Sequence, residues 1–318
     1  ASIVGSEVGV ASAGRCASIL VRICNRSSGS GVWSAIGGIV PARGLSCRAV
    51  SYILVTNDDG VDSPALLPLA RELSRLGRVR VVVPDGERSW IGKAISRWDE
   101  LRVARIEREG VEIFAVKGFP ADCTNLGVHS LFDEPPELVV SGVNIGLNVG
   151  LGFFLSSGTV GAAMEGWIAG IPAIALSIGR PGEDRAWKRD VVGDPDHPVW
   201  LRAARVGADV VRSVREAGYP EGVDLLSVNY PFEADVETPR VVTELAAVGY
   251  DRLFRRKAED LYVHDFDGAL RDSDAVGALT DLSVVRSGRV SITPVRLAHT
   301  AGVAAKLRAR LERVTHND

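Results

Sequence analysis

The sequence predicts an α/β protein built on a largely parallel sheet, with helices on both faces and a β/α extension at the C-terminal end. Three observations point there. Short runs that are apolar throughout, YILVT at 52–56 and PAIALSI at 172–178, read as strands buried on both faces, as parallel strands are. Segments of helical period lie between such runs. The two signals alternate along most of the chain, as in βαβ units whose crossover helices cover the sheet.

The first 50 residues stand outside this pattern. They hold nine serines, five arginines and one acid, Glu7, with no sustained period. The segment reads as a leader with no folded role, disordered or non-native; an organelle transit peptide, which is Arg- and Ser-rich and acid-poor, is the alternative. From residue 52 onward YILVT is the first strand. SPALLPLARELSRLG (63–77) repeats apolar residues at Leu66, Leu69, Ala70, Leu73 and Leu76, a helix with Gly77 as its stop. RVRVVVP (78–84) is the second strand, and LRVARI and VEIFAV, joined by EREG, form a hairpin. PADCTNLGVHSLF (120–132) is a helix, PELVVSG a strand, SGTVGAAMEGWIAG a helix and PAIALSI a strand. A long amphipathic helix (198–218) leads into DLLSVNYP. Beyond about 231, RVVTELAAVGY and LYVHDF read as strands of an extension. SDAVGALTDLSVVRSGRVSITPV reads as helix, turn and strand, and TAGVAAKLRARLERV as a last helix.

The bulk numbers narrow the function. With 318 residues, 46% hydrophobic and 24% charged, the chain can bury a sizeable core in one large domain or two small ones. The net charge of −3 argues against binding duplex nucleic acid or a membrane surface, which needs a basic excess. The arginine excess, 32 against 5 lysines, reads as a GC-rich genome. Glu165 and the Gly170-Ile171-Pro172 break interrupt the longest apolar stretch, so a helix and a buried strand are expected there and not a membrane span. Four cysteines without a CxxC pair argue for a reducing, cytoplasmic setting, with organellar import if the leader is a transit segment. Five scattered histidines argue against zinc.

The chemistry is sought where strands end. The first strand delivers Asn57, Asp58, Asp59 and Gly60, and the second delivers PDGERS (84–89). PELVV delivers SGVNIGLNVG (141–150), and DLLSV delivers Asn229. These termini can meet along one sheet edge. They offer two carboxylates, hydroxyls and the amides of Asn144 and Asn148, an all-oxygen set that suits Mg²⁺ or Mn²⁺. Adjacent carboxylates repel unless a cation or hydrogen bonds offset their charge; a solvated Asp-Asp-Gly turn is the plain alternative. SSGTVGAAMEG (156–166) puts small hydroxyl residues before a helix, whose exposed N–H groups attract phosphate, unless the serine is only an N-cap. The spacing of Gly142, Gly146, Gly150 and Gly152 does not fit a dinucleotide fingerprint. Trp90, Trp98, Trp167, Trp187 and Trp200 read as packing, as does Cys123. His129 and His264 have no partner visible in the sequence.

ILVTNDDG, PDGERS, GFPADCTNLGV, PELVVSGVNIGLNVG, SSGTVGAAMEG with GIPAIALS, LLSVNYP and SDAVGALTDLSVVRSGRVSITPV, in that order over residues 52 to 296, resemble the SurE (survival protein E) family of nucleotidases. The resemblance implies a Rossmann-like domain over 51–318, with a core of about 52–231. The extension, about 232–318, would be used in homodimer or homotetramer contacts. It implies one divalent metal ion held by Asp58, Asp59, Ser89 and Asn144. Asn57 would be a further active-site polar residue, and Asn148, Ser157, Gly158 and Thr159 phosphate-side contacts. The expected reaction is hydrolysis of nucleoside 5′- and 3′-monophosphates, with metal-activated water attacking phosphorus in line. Three departures bear on substrate preference: Trp90 where many members have glycine, Ser156 where many have tyrosine, and Gly152 near the place of an acid. Two rivals stand beside this reading, a phosphatase with an aspartyl-phosphate intermediate and a non-catalytic nucleotide-binding module. The first lacks its Asp-x-Asp pair, since position 57 is Asn.

Overall fold

A computed structural model describes residues 51–181, 186–250, 252–266, 279–297, 302 and 304–312. The expected leader, three of the cysteines, residues 273–278 of the helix expected in SDAVGALTDLSVV, and residues 300, 301, 303, 313 and 314 of the expected last helix lie outside the described residues. The first half contains β1 (Tyr52–Thr56), α1 (Leu66–Ser74), β2 (Arg78–Pro84), β3 (Val103–Arg108), β4 (Val111–Val116), α2 (Pro120–His129), β5 (Leu138–Ile145), α3 (Gly150–Ser156) and α4 (Gly158–Ile168). The second half contains β6 (Ala173–Gly179), α5 (Ala186–Val192), α6 (Pro198–Ala217), β7 (Leu225–Pro231), β8 (Arg240–Val242), β9 (Phe254–Ala258), β10 (Leu261–His264), α7 (Asp281–Arg286), β11 (Val290–Val295) and α8 (Ala305–Leu311).

Nine strands form one sheet in the order β3-β4-β2-β1-β5-β6-β7-β11-β8. The centre, β4-β2-β1-β5-β6-β7, is parallel; β3 pairs antiparallel with β4 and β11 antiparallel with β7. The sheet is therefore mixed, the two antiparallel pairings lying outside its parallel centre. Every residue of β1 and β7 is buried; β1 accordingly reads as a near-continuous apolar run, whereas β7 also buries Ser227 and Asn229. Alternate side chains serve opposite faces. Ile53 and Val55 join α1 and α6 through Leu66, Leu69, Trp200 and Val206. Tyr52 and Leu54 join α2 and α4 through Cys123, Val160 and Ala163. Each fully buried Leu or Ile contributes about 1.5–3 kcal/mol, so the two cores clamp the central strands and hold their ends in fixed places.

Trp187 and Trp200 are buried as expected, whereas Trp98 is 83% exposed and Trp90 38% exposed. Tertiary packing also adds what periodicity does not reveal. The glycine-rich 150–156 segment is a helix, a second short helix spans 186–192, and Phe254–Ala258 pairs with β10 as a separate hairpin. Of RVVTELAAVGY only Arg240–Val242 is strand; Glu244 continues as an isolated bridge to Thr280. No helix among the described residues is long and apolar enough to cross a membrane.

Candidate functional site

The chain leaves β1 toward β2 on one side and later returns to β5 on the other, so a crevice opens at the carboxyl ends beside β1. Asn57 is fully buried there. Its Nδ2 donates to the Gly60 carbonyl at 3.0 Å and its Oδ1 accepts from the Gly60 amide at 3.1 Å. That closed pair folds the turn that presents the two aspartates. The Thr159 hydroxyl donates to Asp58 Oδ1, and the Asp58 carbonyl accepts from the Arg88 amide at 2.7 Å. Asp59 Oδ2 accepts from the Ile145 amide at 3.2 Å, which sets the second carboxylate one residue from Asn144.

β5 reaches the site through an irregularity. Its pairing with β6 breaks after Ser141 and resumes with Asn144 opposite Ser177; such bulges re-aim side chains beside functional sites. The Asn144 amide nitrogen is committed to the Gly146 carbonyl at 2.6 Å, so Oδ1 is the atom it can offer a cation. Asn148 is held from two strands. Its backbone N–H donates to Asn229 Oδ1 at 2.8 Å and its Nδ2 to Ser177 Oγ at 2.9 Å. Ser89 lies on the loop after β2 and donates to Glu87 at 2.6 Å. Gly92 N–H to the Ser156 carbonyl at 2.8 Å fastens that loop to the α3–α4 junction. A Lys93–Glu165 ion pair at 2.6 Å fastens it to α4.

Asp58, Ser89, Asn144, Asn148, Ser157 and Lys188 line a cleft of about 70 Å³. Asn57, Gly158 and Thr159, all buried, stand behind it. Ser157 is the N-cap of α4, its hydroxyl accepting from Val160 N–H at 3.1 Å. Gly158 is required by proximity: a Cβ there would come within 2.8 Å of the Asp58 Cβ. Burial pushes the Asp58 carboxyl above its ordinary pKa, opposed by the Thr159 hydrogen bond and the Lys188 charge. Asp59 is pushed well above, first by burial and then by the Asp58 charge. The described residues contain no group of three or more His, Cys, Asp or Glu arranged for a metal. A cation at this edge would therefore draw on the carboxylate pair and on the neutral oxygens of Ser89 and Asn144. That all-oxygen set, with two carboxylates in want of a positive charge, fits Mg²⁺ or Mn²⁺.

Sequence reasoning missed Lys188. Its Nζ would lie 2.8 Å from a Cβ at Gly146, and its charge acts on both aspartates. It sits on α5, far from any strand end, so no local pattern marks it. Asp281 was missed as well. Its carboxylate accepts from the Gly150, Ala246 and Leu282 amides at 2.8, 3.0 and 2.8 Å.

The fold and the cleft define a doubly wound α/β protein whose paired aspartates and strand-end amides share the carboxyl edge of the sheet. Known proteins carry the same plan. The family model "Survival protein SurE" matches residues 53–255. The 5′-nucleotidase SurE of Methanocella arvoryzae is 38% identical over 253 residues, 78% of this chain and 93% of that protein. The 5′-nucleotidase SurE of Geobacter sulfurreducens is 38% identical over 251 residues, 77% and 87% of the two chains. The crystal structure of the SurE protein from Aquifex aeolicus matches with a TM-score of 0.64 at 32% identity, covering 82% of this chain and all of that one. The chain belongs to the SurE family.

Proposed function

We propose that this protein is a divalent-metal-dependent phosphomonoesterase that hydrolyses nucleoside 5′- and 3′-monophosphates to nucleoside and phosphate. The observation that carries the reading is a cleft lined by Asp58, Ser89, Asn144, Asn148 and Ser157, with Asp59 outside its lining but hydrogen-bonded to the amide of Ile145, the residue after Asn144. The names of the relatives support the 5′ activity. Asp58, Asp59, Ser89 and Asn144 would hold the cation. When bound, the cation would supply Lewis acidity to phosphoryl oxygens and lower the pKa of a water. Asp58, its other oxygen steadied by Thr159, orients the attacking water. Asn148 and the N-terminal turn of α4 receive the charge that spreads over the equatorial oxygens, and preorganised donors are effective there because they need not reorient during reaction. Asn57 acts through the turn it closes. The same reading expects two or four copies to associate through the extension, supported by Phe254, Leu261 and Tyr262, all exposed on its hairpin.

The test is phosphate release from AMP and from 3′-AMP with Mn²⁺ or Mg²⁺, with and without EDTA. Metal-dependent release that EDTA abolishes is expected. Tight nucleotide binding without release, or an aspartyl-phosphate trapped by borohydride, would overturn the reading.

A further inference from the structure

Trp90 follows Ser89 on the rim of the cleft. Its backbone is in the left-handed region, φ 61°, which a bulky residue adopts at a cost that surrounding structure must offset. The loop is fastened on both sides, by the Arg88 amide to Asp58 and by the Gly92 amide to Ser156. The indole itself meets four rings at tilted angles: Phe153 of α3 at 5.5 Å, Tyr250 at 5.5 Å, His264 of β10 at 4.9 Å and Phe266 at 5.8 Å. A ring supported so heavily would ordinarily be buried, yet Trp90 remains 38% exposed. The cleft beside it, about 70 Å³, has room for a phosphoryl group and opens at the rim where Trp90 stands. A phosphomonoester seated with its phosphate beside Asp58 and Ser157 can extend across that rim, past this indole.

We infer that Trp90 is a specificity-determining residue, an aromatic platform on which the base of a nucleoside monophosphate stacks while its phosphate enters the cleft. The inference rests on the proposed nucleotidase reading and adds to it the group that recognises the base. Stacking suits this place because every base has a π-face, so a single indole favours nucleotides over other phosphomonoesters without selecting among bases.

Equilibrium affinity for AMP and for ribose 5-phosphate, which keeps the phosphate and sugar but lacks the base, is measured by calorimetry in the full chain, the Trp90→Phe variant and the Trp90→Ala variant. Phosphate release from the same two compounds is followed with Mn²⁺. Wild type is expected to prefer AMP, and Trp90→Ala to reduce the AMP-to-ribose-5-phosphate affinity ratio about 5- to 100-fold. Trp90→Phe should restore much of that ratio, which a merely structural role would not do. A ratio unchanged in Trp90→Ala overturns the inference, including the case where both ligands weaken in parallel. Absence of phosphate release from AMP in wild type sinks the nucleotidase reading instead, and the binding ratio still decides the role of Trp90.

Discussion

Asp59 shares a buried edge with Asp58, and their mutual repulsion is the local problem a cation would solve. Because both carboxyl pKa values are raised, the native metal-free chain keeps protons that the unfolded chain releases above about pH 4. Native stability without metal therefore falls as pH rises from there toward neutrality. Asp59→Asn removes the repulsion. It should raise the metal-free melting temperature at neutral pH by a few degrees, abolish the further rise on adding Mn²⁺, and cut turnover by on the order of 10³. Differential scanning fluorimetry with EDTA or Mn²⁺ and a phosphate assay read all three. Lys188 brings the complementary charge. Lys188→Ala should lower kcat/KM about 100-fold while the unfolding midpoint in urea moves little, because its ammonium serves the cleft more than the core. Asp58, Ser89, Asn144 and Asn148 stood out in the sequence because each lies at or just beyond the end of a strand; Lys188 did not, because α5 carries it in from the side.

The strands deliver side chains to the site, but α4 and the 85–97 loop set how close they come. Gly161 shows the tolerance. A Cβ at that position would stand 2.4 Å from the Gly92 carbonyl oxygen. It would also stand 2.8 Å from the Gly92 carbonyl carbon and 2.9 Å from Lys93 Cα, so the gain of about 1 kcal/mol in helix propensity of alanine over glycine does not offset the clash, and the loop carrying Ser89 must move. Gly161→Ala should therefore cost both activity, about 10- to 100-fold in kcat/KM, and stability, about 1–3 kcal/mol or more by urea unfolding. The helix itself was readable from SGTVGAAMEGWIAG. Its distance from the Gly92 loop was not, since nothing in either segment encodes the spacing of a contact nearly seventy residues apart.

The C-terminal extension closes the sheet with β11 and β8 and reaches back to the site through Asp281. That carboxylate satisfies three buried amides, one of them Gly150, two residues after Asn148. Asp281→Ala leaves all three without this acceptor and should destabilise the fold by about 3 kcal/mol, measured by urea unfolding. Activity should weaken with it as the 148–150 backbone loosens. Local patterns in the chain sufficed for the parallel centre of the sheet, the helices flanking it and the polar residues at the strand ends. Burial on both faces and a 3.6-residue period are written into neighbouring positions. The mixed edges of the sheet, the approach of Lys188, the rings gathered around Trp90 and the tie from Asp281 to Gly150 emerged with folding alone. Each depends on distant segments meeting, and packing of the complete chain sets those distances.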